Sequence, residues 1–205
     1  MRLLNGAVAQ FRLLPALAGC ALRPAEQPVP TPDSKAAKPM LQKEKQTTLG
    51  LYVTSREAYE KWKSDPENVK ILDVRTNEEF LFVGHAPIAW NVPIFVQKYE
   101  WDPAKGRYPM APNPDFLAEV AKVAKPTDTL LVTCRSGGRS AMAVNQLAQA
   151  GFKNAYNITD GVEGDTIKDP DSVFDGQHMK NGWKNSGLPL SYEVSPERML
   201  VPKVR

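Results

Sequence analysis

The segment Thr129-Leu130-Leu131-Val132-Thr133-Cys134-Arg135-Ser136-Gly137-Gly138-Arg139-Ser140 constrains the fold of this chain more than any other. Thr129 to Thr133 is an apolar, β-branched run of the kind found in a strand buried on both faces. From Ser140 to Ala150 the residues Ala143, Val144, Leu147 and Ala148 recur at helical spacing, and Gly151 ends the run. A buried strand that turns through two glycines into an amphipathic helix is half of a β–α–β unit. The expected class is therefore α/β with a parallel sheet.

The rest of the chain repeats the alternation. Leu49 to Val53 reads as a strand, and Thr54 and Glu57 stand at capping-box spacing before a helix that Asp65-Pro66 stops. Val69 to Val74 is the next strand. Thr76 and Glu79 repeat the box, and the helix they open runs through Val83 to Gly84. Ile88 to Val92 is a third strand. A helix from Asn113 or Pro114 places Phe116, Leu117, Val120 and Val123 on one face, up to Lys125-Pro126, and Ala155 to Ile158 is the last strand. The pattern predicts a small parallel sheet with helices on both faces.

The first twenty residues have a different character. Arg2 precedes a mostly apolar stretch, no acid occurs before Glu26, and the stretch closes on Leu17-Ala18-Gly19-Cys20. That is the layout of a secretory signal. The last four residues resemble the bacterial lipoprotein box, which implies lipidation of Cys20, a membrane anchor and a periplasmic or membrane-anchored location. Gln10 and Arg12 interrupt the apolar region, so an organelle transit peptide, or the extension of a cytoplasmic protein, is the alternative. Residues 21–46, with Pro24, Pro28, Pro30, Pro32 and Pro39, read as a proline-rich linker. The domain is expected over 47–192, followed by a tail over 193–205.

Composition narrows the function. The 205 residues suit one domain with tails, and 42% hydrophobic residues suffice for a core. A net charge of +3 without a basic run argues against nucleic acid as a partner. Cys20 and Cys134 are the only cysteines and lie in separate segments, so no disulfide scaffold is expected. His85 and His178, without a CxxC or HExxH pattern, make no zinc site, and neither metal nor cofactor is expected.

Cys134 lies where an open α/β sheet binds ligands, beyond the carboxyl end of a strand. Gly137 and Gly138 let the chain curl so that successive N–H groups turn inward as an anion nest. The following helix adds its positive end, and Arg135 and Arg139 add charge. Cys134 is then the candidate nucleophile, with Arg135, Ser136, Gly137, Gly138 and Arg139 as the substrate-binding loop, because an electropositive setting marks a reactive cysteine. Asp73, Arg75, Glu79 and His85 are within plausible reach, but charged groups at strand ends and helix starts more often cap or pair. Trp183 is expected in the core.

Cys134-Arg135-Ser136-Gly137-Gly138-Arg139-Ser140 resembles the active-site loop of the rhodanese-domain sulfurtransferases. Three further segments are similar to that family in the same order: Ile71-Leu72-Asp73-Val74-Arg75 with Glu78-Glu79-Phe80, Gly84-His85-Ala86-Pro87-Ile88-Ala89-Trp90-Asn91-Val92-Pro93, and Gly182-Trp183 through Gly187-Leu188-Pro189. The resemblance implies transfer of a sulfane sulfur from thiosulfate or a similar anionic donor to cyanide or a thiol, small or on a protein, through a Cys134 persulfide. A persulfide carrier or redox and sulfide sensor without turnover is an alternative on the same residues. A phosphatase or arsenate reductase is another, although the Cys134–Arg139 loop is a residue shorter than that of the cysteine phosphatases.

The chain departs from the family at four places. Ile88 stands where the family has glycine, and Asp160-Gly161 replaces a Gly-Gly pair. Two segments are long, Pro93–Pro112 and Gly161–Asn181. Both follow parallel strands and are expected to wall the pocket. Asp165, Asp169, Asp171 and Asp175 in the second predict a preference for a cationic or protein partner over free anions.

Overall fold

The structure is a computed structural model that describes residues 40–202. The signal reading, Cys20 and the linker as far as residue 39 lie outside the described residues. In chain order the first elements are β1 (Tyr52–Val53), α1 (Ser55–Ser64), β2 (Val69–Asp73), α2 (Asn77–Val83), β3 (Ala89–Asn91) and β4 (Phe95–Gln97). They are followed by β5 (Met110–Pro112), α3 (Phe116–Val123), β6 (Thr129–Thr133), α4 (Gly138–Gln149) and β7 (Ala155–Ile158). Five strands form one sheet in the order β1-β7-β6-β2-β3, and every neighbouring pair is parallel.

Period-two alternation sorts the strand residues between two cores. Leu72, Val74, Leu130 and Val132 pack with Phe116 and Val120 of α3 and with Ala143, Val144 and Leu147 of α4. Val69, Ile71, Leu131 and Ile158 point the other way, against Ala58 of α1, Phe80 of α2 and Trp183. Helices thus cover both faces of the sheet, and each fully buried leucine or isoleucine contributes about 1.5–3 kcal/mol. Both capping boxes form: Thr54 with Glu57, and Thr76 with Glu79. Each cap is worth about 1 kcal/mol.

The structure differs from the sequence reading in several elements. Helix α4 begins at Gly138, not Ser140, because Gly137 takes the left-handed turn (φ 100°) immediately before it. Leu117 is exposed; α3 buries Phe116, Glu119 and Val120 instead. Glu119 can take the inward place because its carboxylate accepts a bond from Asn113 Nδ2 at 2.9 Å. Residues 40–46, read as the end of the linker, pack on the domain through a 3-10 turn at Lys43–Lys45 with Lys45 buried. The tail packs as well: Met199 bridges Asn91 in parallel, and Leu200 N donates to Asn91 O at 2.9 Å. That contact covers part of the β3 edge, which would otherwise present unpaired backbone groups.

The two long segments are ordered in different ways. The first forms the antiparallel β4–β5 hairpin, whose connecting loop stacks Trp101 edge-on to Tyr108. Tyr99 Oη donates to Glu78 Oε1 at 2.5 Å and ties the hairpin to α2. The second is a loop closed on itself by an antiparallel bridge between Thr166 and His178.

Candidate active site

The chain runs from β2 outward to β3 and returns to β6, which lies beside β2 on its inner side. α2 therefore leaves β2 toward one face while α4 leaves β6 toward the other. The loops that follow these two strands diverge and open a crevice, the place where open α/β sheets bind ligands. Cys134 is the first residue after β6 and is 1% exposed. It forms the floor of its loop.

The loop is shaped from outside. Cys134 O accepts from Val162 N at 2.8 Å, and Arg135 O accepts from Glu163 N at 2.9 Å and Gly164 N at 3.2 Å. With its carbonyls drawn toward the second insertion, the loop turns its N–H groups the other way. Gly137 N donates to Cys134 Sγ at 3.2 Å. Among the described residues, the N–H groups of Arg135, Ser136, Gly138 and Arg139 take no partner. Together with the positive end of α4 they form an anion cradle. Gly137 has no substitute here, since a Cβ at φ 100° would stand 2.4 Å from Thr159 O.

Ser140 lies below the cradle. Its Oγ is 3.3 Å from Cys134 Sγ and 2.6 Å from Asn157 Oδ1. Asn157 Nδ2 donates to Lys45 O at 2.8 Å and Gly137 O at 3.1 Å. The amide is thereby oriented, Oδ1 faces Ser140, and the single hydroxyl hydrogen of Ser140 serves either the sulfur or the amide oxygen.

The two arginines of the loop have separate fates. Arg135 is exposed at the surface. Arg139 forks into Glu79, with Nη1 on Oε2 and Nη2 on Oε1, both at 2.6 Å. Burial opposes the Arg139 charge, but the bonds and charge of Glu79 outweigh it and raise the guanidinium above its ordinary value. Arg139 therefore supplies charge to the site while its hydrogen-bonding fork is engaged elsewhere. Below this pair Arg75 and Asp73 form a fully buried ion pair at 2.7 Å, and Arg75 Nη2 also donates to Gly84 O. His85 stacks on Phe80 and bonds to the Phe80 carbonyl, and Trp183 is buried in the core. Ser136 and Gly137 form the turn between Cys134 and α4, which opens at Gly138. Lys45 and Asn157 carried no signal in the sequence, because each acts through a partner more than a hundred residues away or through loop backbone.

Cavities flank the loop on two sides. One of about 640 Å³ includes Ser136, Gly138, Lys45, Lys168, His178 and Lys180 in its lining. The other, about 370 Å³, lies under the β4–β5 hairpin between Arg107, Tyr108, Met110, Arg139 and Met142. Both insertions thus reach the edge of the sheet where Cys134 lies.

The profile of the rhodanese-like domain matches residues 55–167. This chain belongs to the rhodanese-like domain family. The rhodanese-like domain here is 41% identical over 92 residues to thiosulfate sulfurtransferase 16, chloroplastic, of Arabidopsis thaliana, covering 45% of this chain and 69% of that protein. It is 39% identical over 92 residues to protein HIGH ARSENIC CONTENT 1, mitochondrial, of the same plant, covering 45% of this chain and 49% of that protein. Among solved structures it is similar to Rv0390 from M. tuberculosis, with a TM-score of 0.53 and 28% identity over 69% of this chain and 96% of that one. The chain spans only about half the length of the second plant relative.

Proposed function

We propose that this rhodanese-like domain is a sulfurtransferase that carries a sulfane sulfur on Cys134. The observation that supports it is a cysteine sulfur at the floor of a loop whose free N–H groups face inward. Such a cradle accepts an anion and then the charged persulfide left behind. The Cys134 thiolate attacks the outer sulfur of thiosulfate; the S–S bond breaks and sulfite leaves with its electron pair. Cyanide or a thiolate next attacks the outer sulfur of the persulfide, and the Cys134 thiolate is restored. Two half-reactions through one covalent intermediate give ping-pong kinetics. The similarity to the chloroplastic thiosulfate sulfurtransferase 16 supports the same donor.

The engagement of Arg139 with Glu79 weighs against a phosphatase, whose loop arginine must turn its fork to the substrate. The test is the intact mass of the chain after thiosulfate, beside a Cys134→Ser control. Gain of one sulfur by the unmodified chain alone, reversed by cyanide with release of thiocyanate, is expected. A persulfide that forms and then resists every small acceptor would favour a carrier for one fixed partner. No gain at all would overturn the proposal.

A further inference from the structure

The larger cavity has a size that the donor does not account for. At about 640 Å³ it falls in the range of sites for small organic ligands, about 300–1,000 Å³, whereas thiosulfate is a small inorganic anion. It opens on the active-site loop at Ser136 and Gly138, the residues on either side of the glycine that bonds to Cys134 Sγ. One wall is the strap Gln42–Lys45 and the facing wall is the second insertion. That insertion is held in shape by its own backbone: Ile167 N donates to Gln177 O at 2.9 Å, Gly176 N to Ile167 O at 2.9 Å, and Lys180 N to Asp165 O at 3.2 Å. The wall is therefore preformed, which reduces the ordering a ligand must impose.

Its charge is the reverse of what the acid count of the insertion suggests. Asp165 is taken by Lys45 Nζ at 2.5 Å and by Asn181 Nδ2 at 3.1 Å. Asp175 accepts from Asp169 N, and Asp169 in turn accepts from Asp171 N, so both cap their own loop. Lys168 and Lys180 line the cavity, and neither forms an ion pair among the described residues. Among the described residues, Glu44 is the one lining carboxylate without such a pair. The positive end of α4, at Gly138, adds to the lysines.

We propose that this cavity is the acceptor subsite and that it takes a small thiol bearing carboxylate groups. The inference rests on the persulfide reading above and names its second substrate. The carboxylates lie against Lys168 and Lys180, and the sulfur end reaches the loop at Ser136 and Gly138. The acceptor, having lost its proton to solvent, attacks the outer sulfur of the Cys134 persulfide as a thiolate. The bond from that sulfur to Cys134 Sγ breaks, its electron pair returns to Sγ, and the acceptor leaves as a persulfide.

A charge series of thiols tests this on the full chain: mercaptosuccinate, 2-mercaptoethanol and cysteamine as acceptors, with thiosulfate as donor. The lowest KM is expected for mercaptosuccinate. Lys168→Gln combined with Lys180→Gln should raise that KM roughly tenfold, the sum of two exposed charge contacts, and move the 2-mercaptoethanol KM by about twofold at most. Equal KM changes for all three thiols would overturn the proposal. So would an equal loss in the rate of persulfide formation from thiosulfate, which would assign the cavity to the donor. A second arm does not depend on turnover: calorimetric titration of the Cys134→Ser chain with mercaptosuccinate. Binding that is tighter than for 2-mercaptoethanol, weakens with added salt and disappears when both lysines are replaced is the supporting result. No preference for the dicarboxylate would sink the acceptor subsite even if the mass experiment shows Cys134 gaining sulfur.

Discussion

Glu79, in the first turn of α2, and Arg139, in the first turn of α4, are joined by two parallel bonds of 2.6 Å. The helices lie on opposite faces of the sheet, so this pair spans the crevice between β2 and β6 just above Cys134. The fork that sequence alone assigns to substrate is spent on closing the site. Burial pushes the Glu79 carboxyl up, but the bonds and charge of Arg139 outweigh it and hold the group below the usual carboxylate range.

Because the folded pKa of Glu79 is lowered, its contribution to stability is complete above the unfolded value of about 4.3 and is lost as pH falls through the folded value. Glu79→Gln should cost about 1–3 kcal/mol at pH 7. The gap to the unmodified chain should narrow in acid. Urea unfolding at a series of pH values measures this, and a gap of the same size at pH 3 and pH 7 would contradict it.

Gly137 and Gly138 are adjacent and should respond in opposite ways. A Cβ on Gly137 meets Thr159 O at 2.4 Å in a left-handed conformation, whereas a Cβ on Gly138 meets nothing nearer than Glu44 O at 3.9 Å. Gly137→Ala should destabilise by about 2–4 kcal/mol and abolish sulfur uptake. Gly138→Ala should be neutral or stabilise by up to about 1 kcal/mol, since it restrains the unfolded chain. Thermal melts of the two variants distinguish the cases.

Ser140→Ala removes the one hydroxyl hydrogen that Asn157 Oδ1 and Cys134 Sγ share and leaves that oxygen, inside the fully buried Asn157 side chain, without a donor among the described residues. An unsatisfied acceptor there costs about 1–3 kcal/mol. The same change removes one of the two groups that bond to Cys134 Sγ, so alkylation of Cys134 by iodoacetamide should slow severalfold. Unchanged alkylation together with lost stability would confine Ser140 to a structural role.

Lys45 anchors the strap by donating to Thr159 O at 2.9 Å and pairing with Asp165. Burial pushes the Asp165 carboxyl up, and Lys45 and Asn181 more than offset this, so it lies below its ordinary value. Lys45→Met should raise the Asp165 titration midpoint, read by carboxyl NMR. It should cost about 1–2 kcal/mol, a figure kept low because Asp165 is partly solvated. An unmoved Asp165 titration would show that the strap is held by Asn157 and backbone alone.

Much of the fold was legible because its signals are local. Period-two alternation in Val69–Val74 and Thr129–Thr133 divides residues between the two cores, and each capping box is complete within four residues. The exception inside a helix is Leu117: its spacing matches the apolar stripe, yet it is exposed, and an inward place in α3 goes to Glu119, an acid paired to Asn113. The β4–β5 hairpin leaves no local signal, because Phe95–Gln97 and Met110–Pro112 are three residues each and pair across a long loop.

The sequence by itself determined the class of sheet, the position of Cys134 at the end of a buried strand and the glycines that let its loop curl. Each of those rests on spacing within a few residues. Only the tertiary structure decided that Arg139 belongs to Glu79, that Lys45 and Asn157 brace the loop, and that Asp165 is paired to Lys45 while Asp169 and Asp175 cap their own loop beside a cavity lined by Lys168 and Lys180. Those are meetings between side chains far apart in the chain. A residue's charge says what it can pair with, and only the packed fold says which partner stands within reach.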